Sequence, residues 1–148
     1  MPLTPPEGFR HHTPIYVRWA DMDALGHVNN AKFLTYLEQA RINYFNDLKL
    51  WDGNLSELGL IMARIVLDYK LPLLVGDDVH VFTRCSRFGT RSLDTEQLVL
   101  RLRDDQTEIA AQGTITAVVY DYQKNQSAPI PDSWRELVLA YEPGQIAR

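Results

Sequence analysis

The sequence predicts an α+β protein in which one long helix lies on an antiparallel sheet. Three observations carry this reading. A single stretch, from Asn30 to about Leu48, repeats its apolar residues at helical spacing. After Gly59 the pattern changes to alternation, and four long strand-like runs follow one another. Long strands in direct sequence favour an antiparallel meander, and the apolar helix supplies the cover for its concave face.

Each element has its own signal. Residues 1–12 read as a flexible arm. They begin Met1-Pro2-Leu3-Thr4-Pro5-Pro6-Glu7-Gly8, with neither the basic start nor the apolar run of a signal peptide. Ile15 to Trp19 is strand-like and leads into a loop holding Asp21 and Asp23, which turns at Gly26. The helix carries Phe33, Leu34, Leu37, Ala40, Tyr44, Phe45 and Leu48 on its main stripe. Tyr36 and Ile42 add apolar surface beside it, so more than one face is covered. Asn29 or Asn30 caps its start, and Asp52-Gly53-Asn54 marks the turn after it.

The first long strand alternates Ala63, Ile65, Leu67, Tyr69 and Leu71 against Arg64, Asp68 and Lys70, the pattern of a half-buried strand. Pro72 and Gly76-Asp77-Asp78 end it. Val79 to Phe88, Ser92 to Arg103 and Glu108 to Tyr122 complete the sheet, joined by Gly89-Thr90-Arg91 and by Asp104-Asp105-Gln106-Thr107. Ile115 to Tyr120 is nearly continuous in apolar and β-branched residues, which places that strand centrally. Pro131 opens a short final helix over residues 131–141.

Composition narrows the class. A chain of 148 residues reads as one domain able to bury a real core. The net charge of −4 argues against general nucleic-acid binding. The single cysteine, Cys85, rules out an internal disulfide and a cysteine metal cluster, and its strand-like setting makes it a small core residue. No stretch approaches a membrane span, so the cytoplasm is the expected location.

The chemistry concentrates around Asp23. Its carboxylate falls just before a capped helix, whose free N–H groups and dipole suit an oxyanion. A carboxylate beside an oxyanion site is the minimum equipment for attack on an acyl carbonyl. From spacing alone, the same residue reads first as a loop aspartate that makes an Asx-turn or caps the helix. His27 is either a general base or a turn residue that shapes the loop. Glu38 and Arg41, three apart on the helix, read as an ion pair. Arg84, Arg87 and Arg91 cluster near the turn after the second long strand and read first as a solvated charged face. Tyr36, Tyr44, Phe45 and Trp51 read as core.

Asp23 followed by His27-Val28-Asn29-Asn30 and then the helix resembles the signature of the hotdog-fold thioesterases of the 4-hydroxybenzoyl-CoA and acyl-CoA thioesterase family. Plant acyl-ACP thioesterases carry a similar run. Tyr69-Lys70-Leu71-Pro72-Leu73-Leu74-Val75-Gly76-Asp77 matches the family's aromatic, proline and glycine-aspartate spacing, and the resemblance covers about Pro14 to Tyr122.

It implies a hotdog fold, a five-stranded curved sheet wrapped around one central helix. It implies hydrolysis of an acyl-CoA to a carboxylic acid and CoA, without metal or prosthetic group. Asp23 then supplies or activates the nucleophile and the Asn30 amide polarises the carbonyl. His27 stands beside them in the motif. Arg87, Arg91 and Ser92 match, loosely, the basic and hydroxyl residues that the family places against the CoA nucleotide; an arginine fork suits phosphate. Asp21 falls outside the catalytic position and stabilises the loop. The family's assembly implies a homodimer or homotetramer. Two rival readings keep the same site: an acyl-ACP thioesterase, and a non-catalytic acyl-CoA binding module in which Asp23 is purely structural.

Overall fold

The computed structural model describes residues 3–50, 57–144 and 146–148. Strand β1 spans His11–Ile15, helix α1 Asn30–Asp47, β2 Leu58–Tyr69, β3 Asp78–Phe88, β4 Ser92–Arg103 and β5 Gln106–Asp121. A two-residue strand β6, Gln126–Ser127, and a final helix α2, Asp132–Tyr141, follow. All strand pairs are antiparallel, in the order β1-β3-β4-β5-β2, with β6 joining β5. A long helix laid on this curved sheet is the hotdog fold.

The expected helix forms with nearly the expected bounds. Asn29 is its cap: the side-chain oxygen accepts the Ala31 N–H at 2.8 Å, satisfying one of the free donors of the first turn. Phe33, Tyr36, Leu37 and Ala40 pack on Val79, Val81, Val99 and Ile115 to form the main core. Tyr44, Phe45 and Leu48 enter a second cluster with Cys85, Phe88, Leu93 and Val138, so α2 closes that end of the sheet. Cys85 is a buried core residue, and burial pushes its thiol up to about 12.

Four expectations are corrected. The first strand is His11–Ile15, not Ile15 to Trp19; a single turn of 3-10 helix occupies Trp19–Asp21. The strand therefore begins inside the supposed arm, and Phe9 is buried against Phe82, Leu98 and Leu100 on the sheet's other face. Pro14 fits within β1 because this is an edge strand, where a residue without an N–H is tolerated.

The meander holds only for β3-β4-β5. The chain leaves β2 and crosses over, so β2 pairs with β5 instead of β3. As a result β5 is interior, between β4 and β2, while β4 is the middle strand. Gly113 permits the close β2–β5 approach, since a Cβ there would sit 2.6 Å from the Val66 carbonyl oxygen.

Finally, β2 is not half-buried. Nearly all of it from Ile61 to Tyr69 is exposed, with Ile61, Met62, Ile65, Val66 and Tyr69 among the exposed large apolar residues. A bulge between Met62 and Arg64 also resets its alternation at Ala63. The expected turn Asp52-Gly53-Asn54 and Trp51 lie outside the described residues.

Candidate active site

The loop between β1 and α1 is a tight hairpin of its own. Met22 bridges Val28. Asp23 N–H donates to the His27 carbonyl at 3.0 Å, and Gly26 N–H returns to the Asp23 carbonyl at 3.1 Å. Gly26 makes this possible at φ +87°, a left-handed conformation that glycine adopts without strain. Val28 N–H donates to Leu73 O at 2.8 Å, which ties the hairpin to the loop after β2.

Asp21 anchors this hairpin to the helix. It is 2% exposed. Its carboxylate accepts Tyr36 Oη at 2.7 Å, Arg18 Nη2 at 2.9 Å and the Arg18 N–H at 3.1 Å. Burial works against its charge, but the hydrogen bonds from Tyr36 and Arg18 and the guanidinium charge outweigh it. They hold the group below the usual carboxylate range. Burial and the adjacent Asp21 push the Tyr36 phenol up, so it stays a donor. The loop-stabilising role expected for Asp21 is what these contacts perform.

Asp23 is only partly buried. Its Oδ1 accepts the Leu25 N–H at 2.9 Å, the Asx-turn anticipated from spacing. Among the described residues its second oxygen has no partner.

Beside the hairpin opens a cavity of about 300 Å³, lined by His27, Val28, Asn30, Phe33, Tyr69 and Lys70 among others. Asn30 is the first residue of α1. Among the described residues its N–H has no acceptor, while its carbonyl accepts Tyr69 Oη at 2.8 Å. The motif therefore brings His27 and Asn30 to one cavity, with Asp23 on the hairpin that borders it. Tyr69, Lys70 and Phe33 line the cavity too. Sequence reasoning used Tyr69 and Lys70 only as motif and strand residues and Phe33 only as core; the register of β2 beside the helix start was the missing signal.

The basic turn lies elsewhere. Met62 pairs with Ala117 and Ala117 with Leu93, whereas Tyr69 pairs with Ala111 and Ala111 with Val99. Arg87, Arg91 and Ser92 thus sit near the Met62 end of the sheet, and the Asn30 cavity sits at the Tyr69 end. Seven residues of strand separate them, about 23 Å at 3.3 Å per residue. Within one chain the two groups do not meet. Arg87 is also occupied: it donates to Asp94 Oδ2 at 2.8 Å and Oδ1 at 3.2 Å, and to Ser92 Oγ at 3.2 Å. Arg91 is exposed and donates to Ser127 O at 2.7 Å. Arg84 departs from the cluster, pairing with Glu96 at 2.7 Å and lying over Phe9.

The expected Glu38–Arg41 ion pair does not form. Arg41 turns inward and is buried, donating to Gln97 Oε1 at 3.1 Å, while Glu38 stays exposed.

The fold and the hairpin at the helix start define a protein of the hotdog class. Residues 17–138 match the model of the thioesterase-like superfamily, and the chain belongs to that superfamily. It is similar to a thioesterase from Thermus thermophilus solved with coenzyme A and zinc, at 39% identity, a TM-score of 0.77 and coverage of 91% of this chain and 96% of that one. It is also similar to a thioesterase-superfamily structure from Jannaschia, with 25% identity, a TM-score of 0.83 and coverage of 90% and 84%. The long-chain acyl-CoA thioesterase FadM of Escherichia coli is 23% identical over 134 residues, which is 84% of this chain and 93% of that protein. No described helix is long and apolar enough to cross a membrane.

Proposed function

We propose that the protein hydrolyses an acyl-CoA thioester to a free carboxylic acid and CoA, as a single-domain cytoplasmic homo-oligomer. The observation that carries this is the Asn30 N–H at the start of α1, without an acceptor among the described residues, at the cavity beside the Asp23 hairpin. In this reading the thioester oxygen takes the Asn30 N–H, where the helix dipole also favours negative charge. Asp23 uses its unpartnered oxygen. It either removes a proton from an attacking water or attacks the carbonyl itself, giving an anhydride that water then opens. Either way the thiolate of CoA departs and needs little acid assistance. Val28, Phe33 and Leu71 give the cavity an apolar side for the acyl group. His27 contributes the carbonyl that closes the hairpin and lines the cavity.

The CoA nucleotide requires cations. Arg91 and Ser92 of the same chain are too far from Asn30. If two copies pair their β2 edges antiparallel, the Met62 end of one strand lies against the Tyr69 end of the other. Each copy then presents its basic turn toward the other's Asp23. Of the arginines at the basic turn, Arg91 is the one available in that arrangement, because Arg87 is held by Asp94 and Arg84 by Glu96.

Asp23→Asn tests the site. It preserves shape and the Asx-turn acceptor but removes the charge. We expect kcat to fall at least about a hundredfold, the scale of lost acid–base or nucleophilic assistance, with the thermal midpoint almost unmoved. A screen of acyl-CoA thioesters, with an acyl-carrier-protein thioester alongside, reads out the substrate. Near-normal turnover by the variant would remove the catalytic assignment and favour a binding module.

A further inference from the structure

A second cavity, about 290 Å³, lies between the C-terminal half of α1 and the start of β2. Its walls are mostly apolar, with Ile42, Phe45, Leu60, Met62, Ala117 and Trp134 contributing. One buried charge is set into them. Arg41 is 6% exposed, and among the described residues it has no carboxylate within ion-pair distance. Its Nη1 donates to Gln97 Oε1 at 3.1 Å, and its Nη2 meets only Met62 Sδ at 3.8 Å. A thioether is a weak acceptor, and a guanidinium has five N–H donors to satisfy. Gln97 is fully engaged elsewhere, donating to Leu37 O and Thr83 Oγ1, each at 3.0 Å. Burial pulls Arg41 below its ordinary value, with Glu38 opposing the shift. A buried cation whose partners are one neutral oxygen and a thioether is costly to keep. Glu38, at the exposed side of the same cavity, offsets its charge.

The two cavities share no lining residue, but one face of α1 runs from the first to the second. Asn30, Leu34, Glu38, Arg41 and Phe45 are spaced by threes and fours, so they form one stripe of α1, with Ile42 beside it. The stripe starts at the amide proposed to hold the thioester oxygen and ends at the second cavity. Leu34 on α1, with Ile65 and Met62 on β2, are exposed apolar residues along the intervening stretch. From Asn30 to Arg41 the helix advances about 16 Å at 1.5 Å per residue; a long helical side chain covers the turn N-terminal to its own Cα, about 5 Å back, which leaves about 11 Å, the reach of a ten-carbon acyl chain.

We propose that the second cavity receives the far end of such an acyl chain, and that Arg41 selects chains bearing an uncharged oxygen acceptor, a ketone or hydroxyl, near that end. This rests on the acyl-thioesterase reading above and extends it to the substrate class. A plain methyl terminus leaves the Arg41 donors unfilled, whereas a ketone oxygen accepts from them. A carboxylate would meet Glu38. If Arg41 served only to hold Gln97, the enzyme would be indifferent to what the chain end carries.

The test compares two thioesters on the full chain: decanoyl-CoA, and the same thioester with a ketone at the penultimate carbon. We expect kcat/KM to favour the ketone by about tenfold or more, the scale of one hydrogen bond to a charged group. In Arg41→Met that preference should disappear. The ratio is read within one preparation, so partial loss of folded protein cancels. Equal kcat/KM in the wild type, or a ratio that survives Arg41→Met, would overturn the proposal.

A second measurement covers a variant that does not fold. Trp134 lines the cavity, so the wild type's tryptophan emission, with Trp134→Phe as the control, reports occupancy by the free acids. The keto acid should bind about tenfold more tightly than decanoic acid, again the scale of one charge-assisted hydrogen bond; equal affinities would overturn the assignment. Tighter keto-acid binding without turnover of any acyl-CoA would refute the thioesterase reading alone. Turnover of both thioesters without preference, and equal binding of both acids, would refute the selection alone.

Discussion

Asp21 and Asp23 stand two residues apart in opposite surroundings. Asp21 is sealed under Tyr36 and Arg18 and holds the hairpin; Asp23 is half-open, and one of its oxygens has no partner among the described residues. Identical side chains thus differ through burial and partners alone: one serves as scaffold, and the other is the one to which the proposal gives the chemistry. Glu142 is a third carboxylate with a different balance. Its Oε1 accepts Tyr44 Oη at 2.5 Å and the Cys85 N–H at 3.4 Å. Burial nevertheless wins over these bonds and raises it above the usual carboxylate range. A raised carboxylate costs stability where it is charged in the folded chain. The cost is present above its folded value and fades as pH falls toward the unfolded one. Glu142→Gln retains an acceptor oxygen and removes the charge. It should raise the thermal midpoint at neutral pH, and the gain should vanish in acid; a melting series across pH checks both parts. The shape of the candidate site was legible in sequence, because Asp23 and His27 are local to one hairpin and Asn30 opens the helix that follows it. The inward turn of Arg41 was not legible: an i,i+3 acid–base pair looks the same on paper whether the arginine meets its neighbour or a glutamine on a distant strand.

At the scale of elements, α1 and β2 behave in opposite ways. Periodicity located α1 almost to the residue, since its partners all lie under one stripe. The same reasoning placed β2 correctly along the chain but misjudged its burial and its neighbour. Alternation reports that one face is apolar, not what covers it, and a crossover leaves no local mark. In the single chain nothing among the described residues pairs the outer edge of β2. Its open N–H and C=O groups, with Ile61, Met62, Ile65, Val66 and Tyr69 beside them, make an edge that soluble proteins cover or pair. We therefore expect at least a dimer in solution, formed along β2. Light scattering at micromolar concentration should give a mass of at least twice the 17.0 kDa of one chain, and a value of one chain would contradict it.

For the whole molecule, the separation between the two ends of the sheet bears on the proposed substrate. On that reading, the acyl end and the nucleotide end of CoA meet one site when a second copy supplies its turn. Arg91→Ala should then raise KM for acyl-CoA by about tenfold at low salt, since a charge-assisted contact is worth roughly 1.5–3 kcal/mol. kcat should change little, the mark of lost uniform binding. High salt should shrink the effect, and a short thioester lacking the nucleotide should not register the mutation. Equal impairment of both substrates would assign Arg91 to the fold through its Ser127 contact.

The crossover also fixes an order of events during biosynthesis. β4 and β5 meet across the tight turn at Asp104 and Asp105, both at positive φ, and β3 and β4 are likewise close neighbours in the chain. By contrast β1 must find β3, joining Ile15 to Val79, and β2 must find β5, joining Leu58 to Asp121. Closing such long loops costs entropy before any contact offsets it. The ribosome releases β1, the Asp23 hairpin and α1 first, yet the strands that fix them emerge last. The nascent chain therefore carries the segment of the candidate site unshaped until β3, β4 and β5 have assembled, and the part of the molecule synthesised earliest is completed latest.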